Sequence, residues 1–165
     1  MKKLLTTLAL AVSLAGAAAA APPVTQNSDR TVRVAIQNVQ FGNPTDACPA
    51  GTVAYTLLSL RGVSAGDGTA CIQSSTGCDP WQVGCRQVTQ AIFTFNLPRG
   101  SVTAPLVLRE RFLSETMVVQ LGLGKISAGT GDYAQVHGSL EGGGIVNFND
   151  TSGNSGLVYF VHTDS

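Results

Sequence analysis

Four side chains suited to chemistry alternate along one short stretch of this chain. Tyr133, Gln135, His137 and Ser139 lie two positions apart, so they would share one face of a β-strand. If that face points inward, Tyr133 and His137 are placed to bind a ligand or transfer a proton, since an unperturbed histidine titrates near pH ~6.5. If it points outward, all four are solvated, which is the usual arrangement for polar residues in an alternating strand.

A cluster of charges forms the second candidate. Arg109, Glu110 and Arg111 are consecutive, and Glu115 follows. They could form an acid–base pair or an arginine site for a carboxylate, but catalysis would require a carboxylate with a perturbed pKa in a closed site. Compensating charges on an exposed turn are the more common arrangement, because buried ions need partners. If the cluster instead borders a site, Arg109 and Glu115 are its ligand-binding candidates. Tyr55, which lies in an apolar predicted strand, is a further candidate.

The remaining signals for chemistry are sparse. Trp81, the only tryptophan, lies among the cysteines, where it could stack on a ligand as a lid or plug one end of a barrel. His137 and His162 are too isolated in sequence to propose a metal site. No serine sits in a nucleophile elbow, and no phosphate-binding loop is present. We therefore predict no cofactor and no metal.

Residues 1–20 have the three parts of a cleavable secretion signal. Lys2 and Lys3 form the positive region, residues 4–16 are mainly apolar, and residues 18–20 are alanines of the kind that signal peptidase recognises. The apolar run is too short for a spanning helix, which needs roughly 20 residues. We expect export to a bacterial periplasm or the medium, a loose arm over residues 21–30 and one domain over residues 31–165.

Charge disfavours two classes of partner. The chain has ten basic and ten acidic residues, and removal of the signal takes Lys2 and Lys3, so the acidic residues then outnumber the basic ones by two. Nucleic acid is a poor partner for such a chain, because phosphate binding needs a basic patch. A polybasic patch for a membrane surface is absent for the same reason, and we do not expect an integral membrane protein.

The four cysteines predict disulfide bonds. An even number of cysteines in an exported chain is typical of a disulfide framework. Zinc is disfavoured, because six residues separate Cys71 from Cys78 and Cys78 from Cys85, whereas structural zinc sites have gaps of about two to four. Three pairings are possible. We favour Cys48–Cys71 with Cys78–Cys85, because each bond closes a local loop.

Apolar periodicity predicts an all-β domain, since no stretch has convincing helical spacing. The turn signals divide it into eight or nine strands, which favours a barrel or a sandwich. A change of parity between Ile36 and Val39 predicts a bulge, and Pro105 predicts an edge or a bulge. The predicted strands cover residues 31–41, 52–63, 69–73, 88–97, 101–108, 117–126, 133–140, 144–149 and 157–162. A cysteine-rich loop is predicted over 74–86, and it overlaps the disulfide loop 71–85.

Residues 126–140, ISAGTGDYAQVHGSL, resemble the signature of the allene oxide cyclase and dirigent protein superfamily. In those families a strand ends in a Gly-Thr/Ser-Gly turn, an aromatic residue follows two positions later, and a glycine follows five positions after the aromatic. Residues 95–103 are similar to a strand–turn–strand of bacterial members, whereas residues 31–90 show no correspondence. The signature positions are filled here by Gly129, Thr130, Gly131, Tyr133 and Gly138.

The resemblance implies an antiparallel eight-stranded β-barrel with a central cavity, with a β-sandwich as the alternative fold. Gly129 and Gly131 would permit positive φ in a tight hairpin, and Tyr133 would cover one end of the barrel. Both families commonly form trimers, so a homotrimer is an expectation. The strands that carry the families' chemistry have no match here, so no catalytic residue is carried over.

Three functions remain open at this point. The first is a non-enzymatic exported barrel that binds a small apolar ligand or a partner protein, in the manner of dirigent proteins. The second is an isomerase or cyclase acting on an oxidised lipid or a phenolic compound. The third is a structural or surface-associated protein with a filled barrel. A cavity would favour the first two, and a buried carboxylate or histidine with a shifted pKa would favour the enzyme.

Overall fold

The computed structural model describes residues 30–78, 82–149 and 154–164. The predicted signal, almost all of the predicted arm and Trp81 lie outside the described residues. Within them, nine strands and one 3-10 helix are present, and no helix is long and apolar enough to cross a membrane. The strands are β1 Arg30–Gly42, β2 Thr52–Ser59, β3 Ser64–Gly77, β4 Arg86–Leu97, β5 Gly100–Ser114, β6 Met117–Lys125, β7 Ala128–Gly129, β8 His137–Asn147 and β9 Asn154–Asp164.

Eight of these strands close into an antiparallel barrel. Each long strand pairs with its neighbours in the chain, and β1 pairs with β9 to complete the circle. The two-residue β7 adds to the beginning of β5. The predicted eight-stranded barrel is thus confirmed. Closure leaves no long edge strand exposed, since every long strand has a partner on both sides.

Strict alternation in β4 shows why these sequences form a barrel wall. Ala91, Phe93 and Phe95 are buried, whereas Gln90 and Ile92 on the other parity are exposed. A period of two puts alternate side chains on opposite faces of a strand. Burial of the apolar face inside the barrel therefore sets the register of the whole strand.

Two glycine-rich segments that separate predicted strands belong to strands instead. β3 begins at Ser64 and includes residues 64–68, and β8 continues through residues 142–144. A Cβ at Gly143 or Gly144 would overlap a backbone carbonyl of the neighbouring strand, and Gly144 has φ +147°. These glycines allow close approach of adjacent backbones in a tightly curved sheet. Their role is curvature within a strand, which composition alone does not distinguish from a turn.

β5 continues six residues beyond its predicted end, through the charge cluster to Ser114. The cluster is therefore part of a strand and not an exposed turn. Arg109 and Arg111 point outward and are exposed, whereas Glu110 between them points inward and is only partly exposed. Pro105 lies where the partner of β5 changes from β6 to β7, which agrees with its predicted irregular position. The predicted bulge in β1 is also present, between Gln37 and Gln40.

The barrel has a closed end, where the turn between β4 and β5 meets the segment that precedes β8. Tyr133 lies in the 3-10 helix Gly131–Tyr133 and is buried in the core. The prediction that Tyr133 and Gln135 belong to a strand with His137 was wrong, because β8 begins only at His137. Gly131 has the predicted positive φ, +57°, whereas Gly129 does not. The Thr130 hydroxyl accepts a hydrogen bond from the Ser101 amide at 2.9 Å, which holds this segment against β5.

An aromatic cluster fills the middle of the barrel. Phe93 and Phe95 each pack against Tyr55 and Tyr159, with ring centroids 5.7–6.0 Å apart. The two contacts of Phe95 are edge-on, a geometry that aromatic pairs prefer. Below the cluster, small and branched side chains complete the core of the closed half, namely Val34, Leu57, Leu97, Val102, Ala104, Leu140 and Val161.

Both disulfide bonds lie at the opposite, open end. Cys48–Cys71 ties the connection between β1 and β2 to β3, and Cys78–Cys85 closes the connection between β3 and β4. The favoured pairing is thus the one the structure has. The predicted cysteine-rich loop is shorter than expected, because β3 runs on to Gly77. Two disulfides in a small domain are typical of chains that fold in an oxidising compartment.

Candidate ligand cavity

The open half of the barrel contains a cavity of about 420 Å³. Its walls come from the strand ends that meet at the mouth, and its lining is mainly apolar. Ligand pockets commonly have volumes of about 300–1,000 Å³ and a mainly apolar lining with a few polar groups. The apolar lining consists of Ile36, Val39, Phe41, Ala50, Val53, Ala70, Ile72, Ala91, Phe93, Leu108, Phe112, Val118, Val146, Phe148 and Leu157.

Tyr55 and Phe93 of the aromatic cluster belong to this lining, so the cluster forms the cavity floor. The Tyr55 hydroxyl donates a hydrogen bond to the carbonyl of Thr69 at 3.1 Å. Burial raises the pKa of Tyr55 well above its ordinary value, and the charge of Asp67 adds to this effect. The phenol is therefore neutral at physiological pH, and its hydrogen bond goes to the backbone.

A chain of three polar side chains forms one wall. The Ser75 and Thr89 hydroxyl oxygens are 2.7 Å apart, and the Thr89 hydroxyl donates to Oε2 of Glu110 at 2.7 Å. Because Thr89 uses its single proton on the carboxylate, the proton between the two hydroxyls must come from Ser75. The chain thus runs from Ser75 through Thr89 to Glu110 and ends on the carboxylate.

Glu110 is the only charged group among the described residues that line the cavity. Burial raises the pKa of its carboxyl above the ordinary value of 4.5, and the hydrogen bond from Thr89 offsets part of that rise. Desolvation penalises a charge that has left water, whereas a donated hydrogen bond stabilises it. The neighbours of Glu110 in the register are Gln87 on β4 and Gln120 on β6, both uncharged lining residues.

A second polar pair lies deeper in the barrel. The Gln120 amide donates to the Tyr159 hydroxyl at 2.8 Å. Burial raises the pKa of Tyr159, the hydrogen bond from Gln120 opposes the rise, and the charge of Glu110 adds to it. Glu110 therefore lies within electrostatic reach of a buried phenol. Among the described residues that line the cavity, Glu110 is the only carboxyl, and its neighbours are neutral hydrogen-bonding groups.

The rim of the cavity is fixed by backbone hydrogen bonds next to the disulfides. The Ile72 amide donates to the carbonyl of Gly51 at 2.9 Å, which holds the connection between β1 and β2 against β3. On the other side of the mouth, the Phe112 amide donates to the carbonyl of Cys85 at 2.9 Å. Each disulfide thus supports a segment that is already bonded to a strand of the wall. Among the described residues, these bonds hold the rim in a defined shape.

The sequence candidates lie in different parts of the molecule. Tyr55 lines the cavity, whereas Tyr133 is buried at the closed end and is not part of the lining. His137 is exposed at the first position of β8, also at the closed end. Arg109 points outward from β5, and Glu115 is exposed in the connection to β6. The structure therefore brings only Tyr55 of these five into the cavity.

Glu110 lies in the charge cluster that was predicted to be an exposed turn, and neither Thr89 nor Gln120 was a candidate from the sequence. A signal for Glu110 was present, because it has the same parity as Leu106, Leu108 and Phe112, which all point inward. The charged neighbours on either side concealed that parity. For Thr89 the signal was its alternation with Ala91 and Phe93 on β4.

In the described part of the chain, no group of three or more His, Cys, Asp or Glu side chains is arranged to hold a metal ion. The resemblance to allene oxide cyclases and dirigent proteins stays a prediction based on residues 126–140. Comparisons with protein-family models, curated proteins and solved structures found no match for this chain.

Proposed function

We propose that this protein is an exported β-barrel that binds a small, largely apolar molecule without altering it. The observation that supports this most directly is the contrast within the barrel, which is packed at one end and hollow at the other. A cavity of about 420 Å³ has room for a ligand, and burial of apolar ligand surface would drive binding. A purely structural barrel would be expected to fill this space with side chains.

Export is part of the proposal. The three-part pattern of residues 1–20 supports secretion, and the two disulfide bonds are consistent with folding in an oxidising compartment. N-terminal sequencing or intact mass of the protein from culture medium or periplasm would test it. A chain that began at Met1 in either fraction would contradict the cleaved signal.

Ligand binding can be tested by native mass spectrometry of the protein from its own source and by titration with N-phenylnaphthylamine, whose fluorescence rises in an apolar site. A matched pair of variants distinguishes cavity from surface. Ala91→Phe places a ring in the cavity, whereas Ile92→Phe adds bulk to the outer face, because neighbouring residues of a strand point to opposite sides. We expect Ala91→Phe to abolish probe binding and Ile92→Phe to preserve it. Equal loss in both variants, or no binding by the unmodified chain, would contradict the proposal.

A second candidate function, isomerisation or cyclisation of an oxidised lipid or a phenolic compound, is favoured by Glu110. A partly buried carboxyl with a raised pKa, placed in a cavity, is suited to acid–base catalysis. Incubation with pools of such compounds, followed by chromatography and mass spectrometry, would reveal a product of unchanged mass and altered retention. Glu110→Gln should remove that product. Ligands recovered unaltered from the unmodified protein would favour binding alone.

We also propose that copies of the chain associate through the outer face of β5, β6 and β8, with a trimer as the assembly that the resemblance implies. Val107, Leu121 and Leu123 are 48%, 64% and 59% exposed, and Val107 lies opposite Leu123 in the register. Ile145 continues the apolar face on β8. Contiguous exposed apolar surface of this kind often marks an interface. Light scattering of the unmodified chain and of Leu121→Glu would test it, and a monomer in both cases would contradict it.

A further inference from the structure

The cavity combines one carboxylate with the absence of any basic side chain from its described lining. Glu110 is the acid, and no lysine, arginine or histidine is among the described residues that surround the space. The nearest arginines along the strands, Arg86, Arg109 and Arg111, are exposed. They alternate with the inward-facing Gln87 and Glu110, so their side chains point outward from the barrel wall. The electrostatic character of the interior is therefore set by one negative group.

The carboxylate presents an unused oxygen to this space. Oε2 of Glu110 accepts the hydrogen bond from Thr89 at 2.7 Å, and Oε1 has no partner among the described residues. The Ser75–Thr89 chain stabilises the ionised form on one side only. A carboxylate accepts hydrogen bonds at both oxygens. A hydrogen-bond donor on a ligand would give Oε1 of Glu110 its partner.

We propose that the cavity selects small apolar molecules that carry a protonated amine, with the ammonium group bound at Oε1 of Glu110. This inference rests on the proposed ligand-binding function and adds the chemical class of the ligand. An ammonium group supplies both a donor and the opposite charge, and charge-assisted hydrogen bonds are roughly twice as strong as neutral ones. A neutral alcohol supplies only the donor. A carboxylate ligand would bring a second negative charge into a space without a cation, which is unfavourable in a poorly hydrated site.

Two acidic side chains in the connections at the mouth favour this selectivity. Asp46 lies in the connection between β1 and β2, and Glu115 in the connection between β5 and β6. Both connections are at the open end, both residues are exposed, and neither connection contains a lysine or an arginine. These two carboxylates favour the approach of a cation, whereas the exposed Arg86 at the start of β4 opposes it from the outer face of the same end. The charges at the rim affect the rate at which a ligand approaches, and this effect decreases with salt. The contact with Glu110 is made inside the cavity.

The test uses three ligands with the same apolar chain and different head groups. Octylamine, octanol and octanoate would each be titrated near neutral pH against the barrel loaded with N-phenylnaphthylamine, and the displacing concentration would be measured. We expect octylamine to displace the probe at a concentration about tenfold to a hundredfold lower than octanoate, which corresponds to one hydrogen bond to a charged group. Octanol should fall between them. Octanoate binding as tightly as octylamine would overturn the proposed selectivity.

Two variants distinguish a direct contact between the amine and Glu110 from the general attraction of the acidic groups at the mouth. Glu110→Gln keeps the shape of the side chain and removes its charge, so octylamine should then displace the probe no better than octanol, because an ammonium group without a counter-charge loses hydration in the cavity. Glu115→Gln removes an exposed carboxylate outside the lining, and the preference for octylamine should persist. A preference that survived Glu110→Gln would overturn the contact with Glu110. The comparison of the three ligands on the unmodified chain stands even if a variant fails to fold.

The outcomes also separate this inference from the function on which it rests. If the probe binds and all three ligands displace it equally, the cavity is a general apolar site and only the selectivity for amines is overturned. If neither the probe nor any of the ligands binds, the proposed ligand-binding function fails as well.

Discussion

The two halves of this barrel are built from the same strands and differ in what fills them. In the closed half, Phe95 and Tyr159 are completely buried and pack against each other and their aromatic neighbours. In the open half, apolar side chains of mixed size and a few polar ones surround a space of about 420 Å³. The closed half has dense packing and no charge on its core side chains. The open half has the partly buried carboxyl and both disulfide bonds.

This difference shows how a small barrel can combine stability with a site. Dense packing of large side chains stabilises the closed half, because an aromatic side chain buries much apolar surface and makes many dispersion contacts. The open half lacks that packing, and covalent bonds support its rim instead. A cavity is thus tolerated where cross-links limit the freedom of the connections. The division predicts different responses to mutation in the two halves.

The largest effect is expected from loss of a ring in the closed half. Phe95→Ala should lower the free energy of unfolding by about 3–5 kcal/mol, since a fully enclosed cavity replaces the side chain. Phe112→Ala is the matched variant at the mouth, where the side chain already borders open space, so its cost should be smaller by about 1 kcal/mol or more. Urea unfolding followed by circular dichroism would measure both. Equal costs would mean that the two halves are packed alike.

Removal of the disulfides should come next in size. Replacing Cys48 and Cys71 by alanine releases a loop with a sequence separation of 23, which corresponds to about 3.4 kcal/mol in the chain-entropy model. The Cys78–Cys85 loop has a separation of only 7, so its loss should cost less, about 2.5 kcal/mol.

Both double variants should also weaken binding of the fluorescent probe, because each bond supports the rim. Hydrogen exchange should increase in β3 and in the connections at the mouth, while β4 near Phe95 keeps its protection. Faster exchange throughout the barrel, with no difference between the ends, would speak against a rim function for the disulfides.

A ring added to the wall should be tolerated in one half and not in the other. Ala104→Phe inserts volume where the residue is completely buried, and overpacking typically costs about 1–3 kcal/mol. Ala91→Phe points into the cavity and should cost less than about 1 kcal/mol, since the ring finds space. Thermal unfolding of both variants tests this directly. A large loss in Ala91→Phe would show that the cavity closes in solution.

The smallest effect is a dependence on pH that comes from Glu110. Because burial raises the pKa of this carboxyl above 4.5, the folded state holds the proton more strongly than the unfolded state does. Its contribution to stability is therefore present at pH below the ordinary value and is lost as pH rises through the raised value. Glu110→Gln should remove this loss, so the variant should gain stability relative to the unmodified chain as pH increases. A difference that does not change with pH would contradict the raised pKa.

Local pattern was enough to predict most of the walls. The alternation of Ala91, Phe93 and Phe95 identified β4, and the change of parity after Ile36 identified the bulge in β1. Such patterns are local, because a half-buried strand shows its two faces in its own sequence. Glycine was the main source of error. Residues 141–143 separate two predicted strands and lie inside β8, since a glycine can permit a turn or the close approach of a neighbouring strand.

The site was harder to predict than the walls. Tyr55 was a candidate and lines the cavity, whereas Glu110 was concealed by Arg109 and Arg111 on either side. A charged triplet suggests a solvated turn when the strand that contains it is not recognised. Once β5 is extended to Ser114, parity alone places Glu110 inside.

What the sequence by itself determined is the all-β class, the signal pattern, the pairing preference of the cysteines and the faces of most strands, because each depends on composition or on residues close together in the chain. Only the tertiary structure decided which end of the barrel is filled and which is hollow. That outcome depends on the summed volumes of side chains from eight strands meeting in one interior. It is a property of the closed barrel and of no single segment, and so is the position of Glu110 facing a space without a basic side chain among the described lining residues.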